Sequence, residues 1–271
     1  MNPTLALIIN TSNQPEYLAR VLRGVAAQSQ PPDEVLLADD GSGEETRQLF
    51  KRWSADRSIR TEHLWQEQKG FRRAQILNEA IVHAQAGYLV FLDGDTVPHP
   101  RFIADHEKLA QRGRFVQGHR ALVEQRASIR FGMGHFGSER LTALLGGQLH
   151  GLKHAFRWPV PLKRVRSDLR GVRGCNLAIW RQDLARVNGY NEAFVGWGRE
   201  DSELVARLYN AGLERLDVRG WALCYHLWHP PASRGKLSEN DKILEATLTQ
   251  RLAICQQGMN LHQPGPGAAN V

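Results

Sequence analysis

The pattern of apolar and polar positions divides the first third of the chain into alternating short and longer segments. Three apolar runs, 5–9, 34–38 and 88–92, have the length of strands buried on both faces, and 60–64 alternates like a half-buried strand. The segments between them repeat apolar residues every three or four positions, as amphipathic helices do. This alternation predicts a parallel sheet with right-handed crossovers, in which ligands bind beyond the carboxyl ends of the strands.

Local signals predict where several helices begin and end. Pro15 stands at the natural first position of a helix that runs to about residue 28. Ser42 and Glu45 have the spacing of a capping box for the next helix. Near the end of the chain, 238–257 predicts a closing helix with five apolar residues turned inward, which are Ile243, Leu244, Leu248, Leu252 and Ile254.

The apolar run 88–92 leads directly into two carboxylates, Asp93 and Asp95, which are separated by Gly94. Because side chains alternate along an extended backbone, we expect both acids to leave on the same side. The glycine would let a ligand approach the backbone between them. This arrangement suits Mg²⁺ or Mn²⁺ bound to phosphate oxygens, and an Asp-Gly turn without a ligand is the structural alternative.

Composition is that of an ordinary soluble globular protein, with 271 residues, 42% hydrophobic and 23% charged. No apolar run approaches the roughly 18 residues of a membrane-spanning helix, and the first run is too short for a signal peptide, so we expect a cytoplasmic protein. Cys175, Cys224 and Cys255 form no CxxC pair. They predict buried thiols rather than a disulfide framework or a zinc site.

The formal charge of +7 indicates an anionic partner. Between residues 151 and 174, seven cations and aromatic side chains surround a single acid, Asp168. The cations are Lys153, Arg157, Lys163, Arg164, Arg166, Arg170 and Arg173. Such a stretch is compatible with nucleic acid, an anionic membrane surface, an acidic glycolipid or a solvated loop, and its composition leaves these four open.

Thr11, the turn Asp39-Asp40-Gly41-Ser42 and the pair Asp93 and Asp95 follow one another at predicted strand ends. Their order and intervals resemble the nucleotide-sugar half of family 2 glycosyltransferases with the GT-A fold. The resemblance implies that Asp40 lies near the uracil of a UDP-sugar and that Asp95 binds the metal.

Arg73 falls at the same edge of the predicted sheet. We therefore assign the nucleotide-sugar site to five residues, which are Thr11, Asp39, Asp40, Arg73 and Asp93. A haloacid-dehalogenase phosphatase also has apolar residues followed by Asp-x-Asp, but it places them on an early strand and needs no Asp-Asp-Gly-Ser turn before them.

Three segments of the second half, 173–181, 187–192 and 194–201, are similar to the C-terminal part of the β-1,4-galactosyltransferase family and of bacterial polymerases that make chondroitin-like chains. The resemblance implies that Trp197 stacks against the acceptor sugar and that Asp201 is the catalytic base.

Glu200 is the rival of Asp201 for the role of base, because the two carboxylates are adjacent. Both precede an apolar series with helical spacing, so we expect them at a helix N-terminus, where the dipole keeps a carboxylate ionised. The chain departs from the galactosyltransferases at Arg199, where they have glycine, and at Ser202, where they have a further acid. We expect Arg199 to contact the acceptor.

The apolar strand 221–225 is followed by two histidines, His226 and His229. A histidine after a strand is more often structural than a metal ligand. The resemblance to the polymerases, in which a histidine after this late strand completes the metal shell, favours His226 as a ligand beside Asp95. His229 is the alternative.

These features predict an α/β protein of the GT-A fold: Rossmann-like, with a mostly parallel central sheet flanked by helices, in a single fused two-part domain. We expect a nucleotide-sugar-binding half at 1–120 and a basic connecting segment at 121–172. An acceptor-binding and catalytic half follows at 173–257, and a flexible tail at 258–271.

The predicted activity is inverting, metal-dependent transfer of a sugar from a UDP-sugar, with Mn²⁺ or Mg²⁺ as cofactor. UDP-galactose and UDP-N-acetylgalactosamine are the expected donors, and the acceptor is a hydroxyl of a growing surface glycan or glycolipid such as lipopolysaccharide core or capsule. The alternatives are a non-catalytic glycan-binding protein that kept the fold and a phosphatase of the haloacid-dehalogenase type. We expect no nucleic-acid partner, and peripheral contact with the inner face of an anionic membrane stays open.

Overall fold

The alternating strands and helices of the first third form as predicted. They are seen in a computed structural model that describes residues 3–134 and 136–262. The elements are β1 (Leu5–Thr11), α1 (Pro15–Ala26), β2 (Glu34–Asp39), α2 (Glu44–Ala55), β3 (Arg60–Trp65), α3 (Arg73–His83) and β4 (Tyr88–Asp93). Pro15 is the first residue of α1, as its fixed φ and missing N–H favour.

The remaining elements include several short strands that the sequence did not predict. They are β5 (Thr96–Pro98), α4 (Phe102–Leu109), β6 (Arg114–Gln117), β7 (Arg120–Val123), α5 (Gln125–Ser128), α6 (Phe136–Leu145), β8 (Leu149–His150), β9 (Leu162–Arg166), β10 (Leu177–Trp180), α7 (Arg181–Arg186), α8 (Glu200–Asn210), β11 (Glu214–Arg219), β12 (Cys224–His226) and α9 (Leu237–Thr249). Single 3₁₀ turns lie at Leu152–His154, Gly174–Asn176 and Met259–Leu261.

The central sheet has the strand order β3-β2-β1-β4-β10-β6-β11-β9. The first four strands are parallel, which confirms the predicted arrangement. β10 then runs antiparallel to both of its neighbours, β4 and β6, while β6 and β11 are parallel. β10 therefore joins the two halves of the chain in one sheet.

Both faces of the sheet are buried, as the continuous apolar runs predict. Leu5, Leu7 and Ile9 of β1 belong to a cluster that contains the apolar residues of α1. Ala6 and Ile8 belong to a second cluster that contains those of α3. The polar residues of the strand ends are thus carried to one edge by rigid, buried strands.

A second sheet of four strands, β5-β12-β7-β8, brings late and early parts of the chain together. β12 pairs antiparallel with β5, so that His226 lies opposite Thr96. The backbone N–H of Leu227 donates to the carbonyl of Asp95 at 2.9 Å. This pairing places the late histidines beside the first half's Asp-Gly-Asp turn.

Three local expectations from the sequence were wrong. The predicted capping box does not form, because Gly43 is the N-cap of α2 and the Ser42 Oγ instead accepts the backbone N–H of Asn13 at 2.8 Å. The backbone is not extended through the acidic pair, since Gly94 and Asp95 form a turn after β4.

The third is the closing helix, which ends at Thr249 and leaves Leu248, Leu252 and Ile254 exposed. Its buried positions are polar: Asn240 donates to the carbonyl of Gly198 at 2.9 Å, and Thr247 donates to Glu203 at 3.1 Å. The inward face of α9 is therefore set by hydrogen bonds to α8 and to the loop before it.

Five residues of the predicted tail, 258–262, are described by the structure. Residues 258–262 are packed, with Met259 buried and its backbone N–H donating to the carbonyl of Asn188 at 3.0 Å. The rest of the predicted tail, 263–271, lies outside the described residues. The three cysteines are free and buried, as expected. Among the helices of the described residues, none combines the length and apolar character needed to cross a membrane.

The basic segment is partly neutralised by the fold. Arg157 pairs with buried Asp105 at 2.7 Å, and Asp168 binds both Arg166 and Arg170. Residues 162–166 form the edge strand β9, where Lys163 and Arg164 are exposed. Charged side chains on an edge strand also discourage pairing with other chains. Contact of this edge with an anionic membrane stays a prediction.

Candidate active site

The turn after β4 and the end of β12 form a cluster with the ligand types of a metal centre. The Asp95 carboxylate lies 3.6 Å from the Nε2 of His226 and 3.1 Å from the Nε2 of His229. One ligand atom from each of the three residues falls within 4.8 Å of the others, and no second group of this kind occurs among the described residues. Both predicted histidines, the first choice and the alternative, are therefore present at Asp95.

The chemistry of this cluster fits a divalent ion. Burial lowers the pKa of His226 to about 4, so its imidazole is neutral and offers a ring nitrogen. Although burial opposes it, the hydrogen bond to His229 holds the pKa of Asp95 below its usual value. Two imidazole nitrogens and one carboxylate can hold a divalent metal ion, with open positions left for oxygen ligands.

Gly94 has a packing role that the sequence did not suggest. A Cβ at this position would lie 2.9 Å from the Oγ1 of Thr11 and 3.0 Å from the carbonyl of Asn10. Glycine is therefore required where β4 and β1 end side by side. The Thr11 side chain is buried there, and its Oγ1 has no hydrogen-bond partner among the residues that the structure describes.

The carboxylates of Asp39 and Asp40 are both buried and shape their own loop. Asp39 accepts the backbone N–H of Ser42 at 2.8 Å, and its other oxygen lies 2.9 Å from the Nε2 of His63. Asp40 accepts the side-chain amide of Gln66 at 2.6 Å and the backbone N–H of Arg72 at 2.9 Å. The turn stands at the expected strand end, and contact with a nucleotide stays a prediction for both acids.

Arg73 links the two halves of the site. Its guanidinium donates to Asp93 at 3.2 Å and to Asp201 at 2.8 Å, and its Nε donates to the side chain of Asn10 at 3.1 Å. Although burial alone would lower it, these carboxylates raise the pKa of Arg73 well above its usual value. Burial raises the pKa of Asp93 to about 6, against the opposing effect of Arg73. The structure thus places Arg73 between the predicted donor and acceptor residues, which the sequence did not indicate.

Asp201 lies in the first turn of α8, as predicted. One of its oxygens faces Arg73, and the other accepts the backbone N–H of Gly174 at 2.8 Å. A Cβ on Gly174 would lie 2.4 Å from Asp201 and from the Nη2 of Arg73, so only glycine fits. The sequence reasoning missed Gly174, although it lies within the Arg-Gly-Cys-Asn segment that carries the resemblance.

Glu200 is less accessible than its neighbour, with 8% of its side chain exposed against 20% for Asp201. It accepts the backbone N–H of Gly198 at 3.0 Å. Burial and the adjacent Asp201 raise the pKa of Glu200 to about 7. Of the two carboxylates, Asp201 is therefore the more accessible.

The raised pKa of Glu200 predicts a pH-dependent stability. The folded protein keeps this proton up to about pH 7, whereas an unperturbed glutamate loses it near 4.5. Relative to Glu200→Gln, the wild type should therefore lose on the order of 1–3 kcal/mol of unfolding free energy as the pH rises through this range. Urea unfolding of both proteins at about pH 5 and about pH 8 measures this. An equal difference at both pH values would contradict the assignment.

The two residues predicted to contact the acceptor, Trp197 and Arg199, differ in how their side chains are held. Trp197 is 41% exposed, and the guanidinium of Arg234 lies over its ring, 5.6 Å from the ring centre. Contact of Trp197 with an acceptor sugar stays a prediction. Arg199 has φ of +80°, a left-handed conformation that glycine adopts more readily than arginine. Its side chain pairs with Asp241 of α9 at 2.5 Å. Contact of Arg199 with an acceptor stays a prediction.

Comparison with known families matches nearly the whole described chain. Residues 6–158 match the family described as "Glycosyl transferase family 2". Residues 156–230 match the one described as "N-terminal domain of galactosyltransferase". The two matches meet near residue 157 and agree with the two resemblances found in the sequence.

Curated relatives include a chondroitin synthase of Escherichia coli, which is 26% identical over an alignment of 269 residues that covers 92% of this chain and 38% of that protein. A validoxylamine A glucosyltransferase of Streptomyces hygroscopicus subsp. limoneus is 29% identical over 78% of this chain and 49% of its own length. The chain thus spans between about two-fifths and one-half of these relatives.

Solved structures confirm the predicted GT-A fold. A mannosyltransferase from Pyrobaculum calidifontis, in complex with GDP-Man and Mn²⁺, has a TM-score of 0.58 at 18% identity and covers 93% of this chain and 71% of its own. GalNAc-T7 with UDP, GalNAc and Mn²⁺ has a TM-score of 0.64 at 14% identity, over 90% and 48%. Because the first family match covers more than half of the chain, the protein belongs to glycosyl transferase family 2.

Proposed function

We propose that this protein is an inverting, metal-dependent glycosyltransferase that moves a sugar from a UDP-sugar to a hydroxyl group of a growing glycan. The observation that carries the proposal is the position of Arg73, which joins Asp201 to Asp93 beside the Asp95–His226–His229 cluster. A base and a metal centre thus lie on either side of one buried guanidinium. Family membership removes the phosphatase alternative.

The chemistry assigned to the chain's own residues is a single displacement. Asp201 accepts the proton of the acceptor hydroxyl while that oxygen bonds to the anomeric carbon and the bond from this carbon to the diphosphate oxygen breaks. Bound at Asp95, His226 and His229, a divalent ion would neutralise charge that develops on the leaving diphosphate. Arg73 orients Asp201 through their ion pair, and the backbone N–H of Gly174 fixes its second oxygen.

We assign donor binding and acceptor binding to different parts of the chain. We place nucleotide binding in 1–120, where the loops of Thr11 and Asp40 end β1 and β2. Acceptor binding falls in 173–257, with Trp197 as the stacking surface. The donor proposal, UDP-galactose or UDP-N-acetylgalactosamine, is supported by the sequence resemblance. A surface glycan such as capsule or lipopolysaccharide core as acceptor is supported by the chondroitin synthase relative.

The test is a panel of UDP-sugars and GDP-mannose, scored by thermal stabilisation with and without Mn²⁺. A cognate donor at 100 times its Kd adds about 2.7 kcal/mol, which shifts the Tm of a chain of this size by roughly 5–10 °C. We expect that shift for one UDP-sugar and only with Mn²⁺, followed by slow release of UDP in water. Stabilisation without any UDP release would favour the non-catalytic glycan-binding alternative, and stabilisation by GDP-mannose alone would contradict the choice of UDP.

A further inference from the structure

A basic cavity of about 310 Å³ opens between β7, β8 and the loop that precedes β10. Its charged and ionisable lining residues are His119, Arg120, His150, Lys153, His154 and Arg173. Of the described residues that line it, none is acidic. Two of the seven cations of the basic segment, Lys153 and Arg173, are thus placed in one concave site.

Three of these cations lack a carboxylate partner within the part of the chain that the structure describes. Arg120 donates only to the sulfur of Cys175, at 3.4 Å, and neither Lys153 nor Arg173 forms an ion pair through its side chain. The other strongly basic side chains of the segment are either paired with Asp105 and Asp168 or spread along an exposed edge strand. Unpaired cations that converge on a concave surface form a site for an oxyanion, because charge-assisted hydrogen bonds would satisfy their free donors.

The cavity adjoins the proposed reaction centre. Gly174 lies between the lining residues Arg173 and Cys175, and its N–H donates to Asp201 at 2.8 Å. On the opposite wall, Arg120 is paired in the sheet with Cys224 of β12, the strand that ends at His226. The same backbone segments therefore position the base, the metal ligand and the cavity.

The order of strands places the cavity on the acceptor side. The loops of Thr11 and Asp39-Asp40 follow β1 and β2, on one side of β4 in the central sheet. The cavity is built from the loops that follow β6 and precede β10, on the other side of β4. A group bound there lies across the site from the predicted nucleotide loops.

We propose that this cavity binds an anionic group, a phosphate or a carboxylate, carried by the acceptor sugar close to the hydroxyl that is glycosylated. The proposal rests on the proposed function, and it adds that the acceptor is an acidic sugar. His119 and His154 stack as parallel rings 4.3 Å apart and form a flat wall beside the three cations.

The experiment is a calorimetric titration with galactose 6-phosphate, galacturonic acid and galactose, on enzyme already saturated with UDP and Mn²⁺. Lys153→Ala with Arg173→Ala removes two exposed cavity cations, and Lys51→Ala with Arg52→Ala removes two exposed cations of α2 as the matched control. We expect one of the acidic sugars to bind the wild type and the control alike and to bind the cavity variant about tenfold or more weakly. Neutral galactose should not distinguish the three proteins. Which acidic sugar responds identifies the anion as phosphate or carboxylate.

Equal binding of both acidic sugars by the wild type and the cavity variant would overturn the proposal. An acidic sugar that binds the enzyme without UDP and Mn²⁺ but not the enzyme saturated with them would also overturn it, because the anion would then occupy the donor's diphosphate site. The cavity variant must retain binding of UDP, which shows that it is folded. Failure of the proposed function would be seen separately, as the absence of stabilisation and of UDP release with every nucleotide sugar of the donor panel.

Discussion

Asp201→Asn is expected to slow sugar transfer by roughly 10²–10⁴-fold, the range typical for loss of a general base. Asparagine keeps the size of the side chain, and its oxygen can still accept the N–H of Gly174, which is 2.8 Å from the carboxylate in the wild type. It cannot take the proton of the acceptor hydroxyl. The measurement is the turnover number at saturating donor and acceptor.

The affinity of Asp201→Asn for UDP shows whether the substitution has disturbed the donor site. The amide nitrogen of asparagine would face Arg73, whose guanidinium is 2.8 Å from Asp201, so a small movement of Arg73 is expected. Because Asp95 and the histidines are not altered, the affinity for UDP with Mn²⁺ should stay close to that of the wild type. A large loss of that affinity would mean that Asp201 acts through Arg73 on the donor site.

Glu200→Gln separates the two carboxylates. Glu200 is more buried and has a raised pKa, so we expect its replacement to slow turnover less than Asp201→Asn does. The product from a UDP-α-sugar should be β-linked, because one base opposite the leaving group implies one displacement. A dead Glu200→Gln enzyme with near-normal turnover of Asp201→Asn would reverse the assignment, and an α-linked product would contradict the mechanism.

The strands of the first half could be predicted because their signals are local. The apolar runs 5–9, 34–38 and 88–92 are buried on both faces, and each is followed at once by the polar residues that a ligand needs. The carboxyl ends of parallel strands meet at one edge, so the chain order alone brings Thr11, Asp39 and Asp93 together. No distant contact has to be known for that inference.

The parts that could not be predicted depend on contacts between distant residues. Arg73 and Asp201 are 128 positions apart, and their ion pair is visible only once β10 has joined the two halves of the sheet. The apolar spacing of α9 indicated an inward face, but the helix turns Asn240 and Thr247 inward to meet partners on and before α8. Periodicity describes a helix in isolation, whereas its orientation is set by what it packs against.

The sequence also could not decide which of the two histidines lies near Asp95. The pattern offered His226, with His229 as an alternative, because a single sequence does not show which ring will face Asp95. The pairing of β12 with β5 brings both within reach, at 3.6 and 3.1 Å. The choice between one and two histidine ligands becomes a question for experiment.

Asp95→Ala and His226→Ala are each expected to abolish Mn²⁺-dependent binding of UDP while leaving the fold intact. Both side chains lie at strand ends outside the apolar clusters, so their truncation removes little core packing. Loss of a residue that only orients a metal ligand typically lowers metal affinity by roughly 10–100-fold. Loss of a direct ligand should lower it by at least as much. Calorimetry with UDP, with and without Mn²⁺, measures the effect.

His229→Ala, titrated in parallel, distinguishes a metal ligand from a residue that only holds Asp95. His229 is the nearer histidine to Asp95, and its hydrogen bond contributes to the low pKa of that carboxylate. If His229 is a third ligand, its loss should weaken Mn²⁺-dependent binding as strongly as the loss of His226 does. If it only orients Asp95, the loss should be smaller, since the carboxylate and His226 remain. Unchanged UDP affinity in both Asp95→Ala and His226→Ala, with and without Mn²⁺, would exclude this cluster as the metal centre.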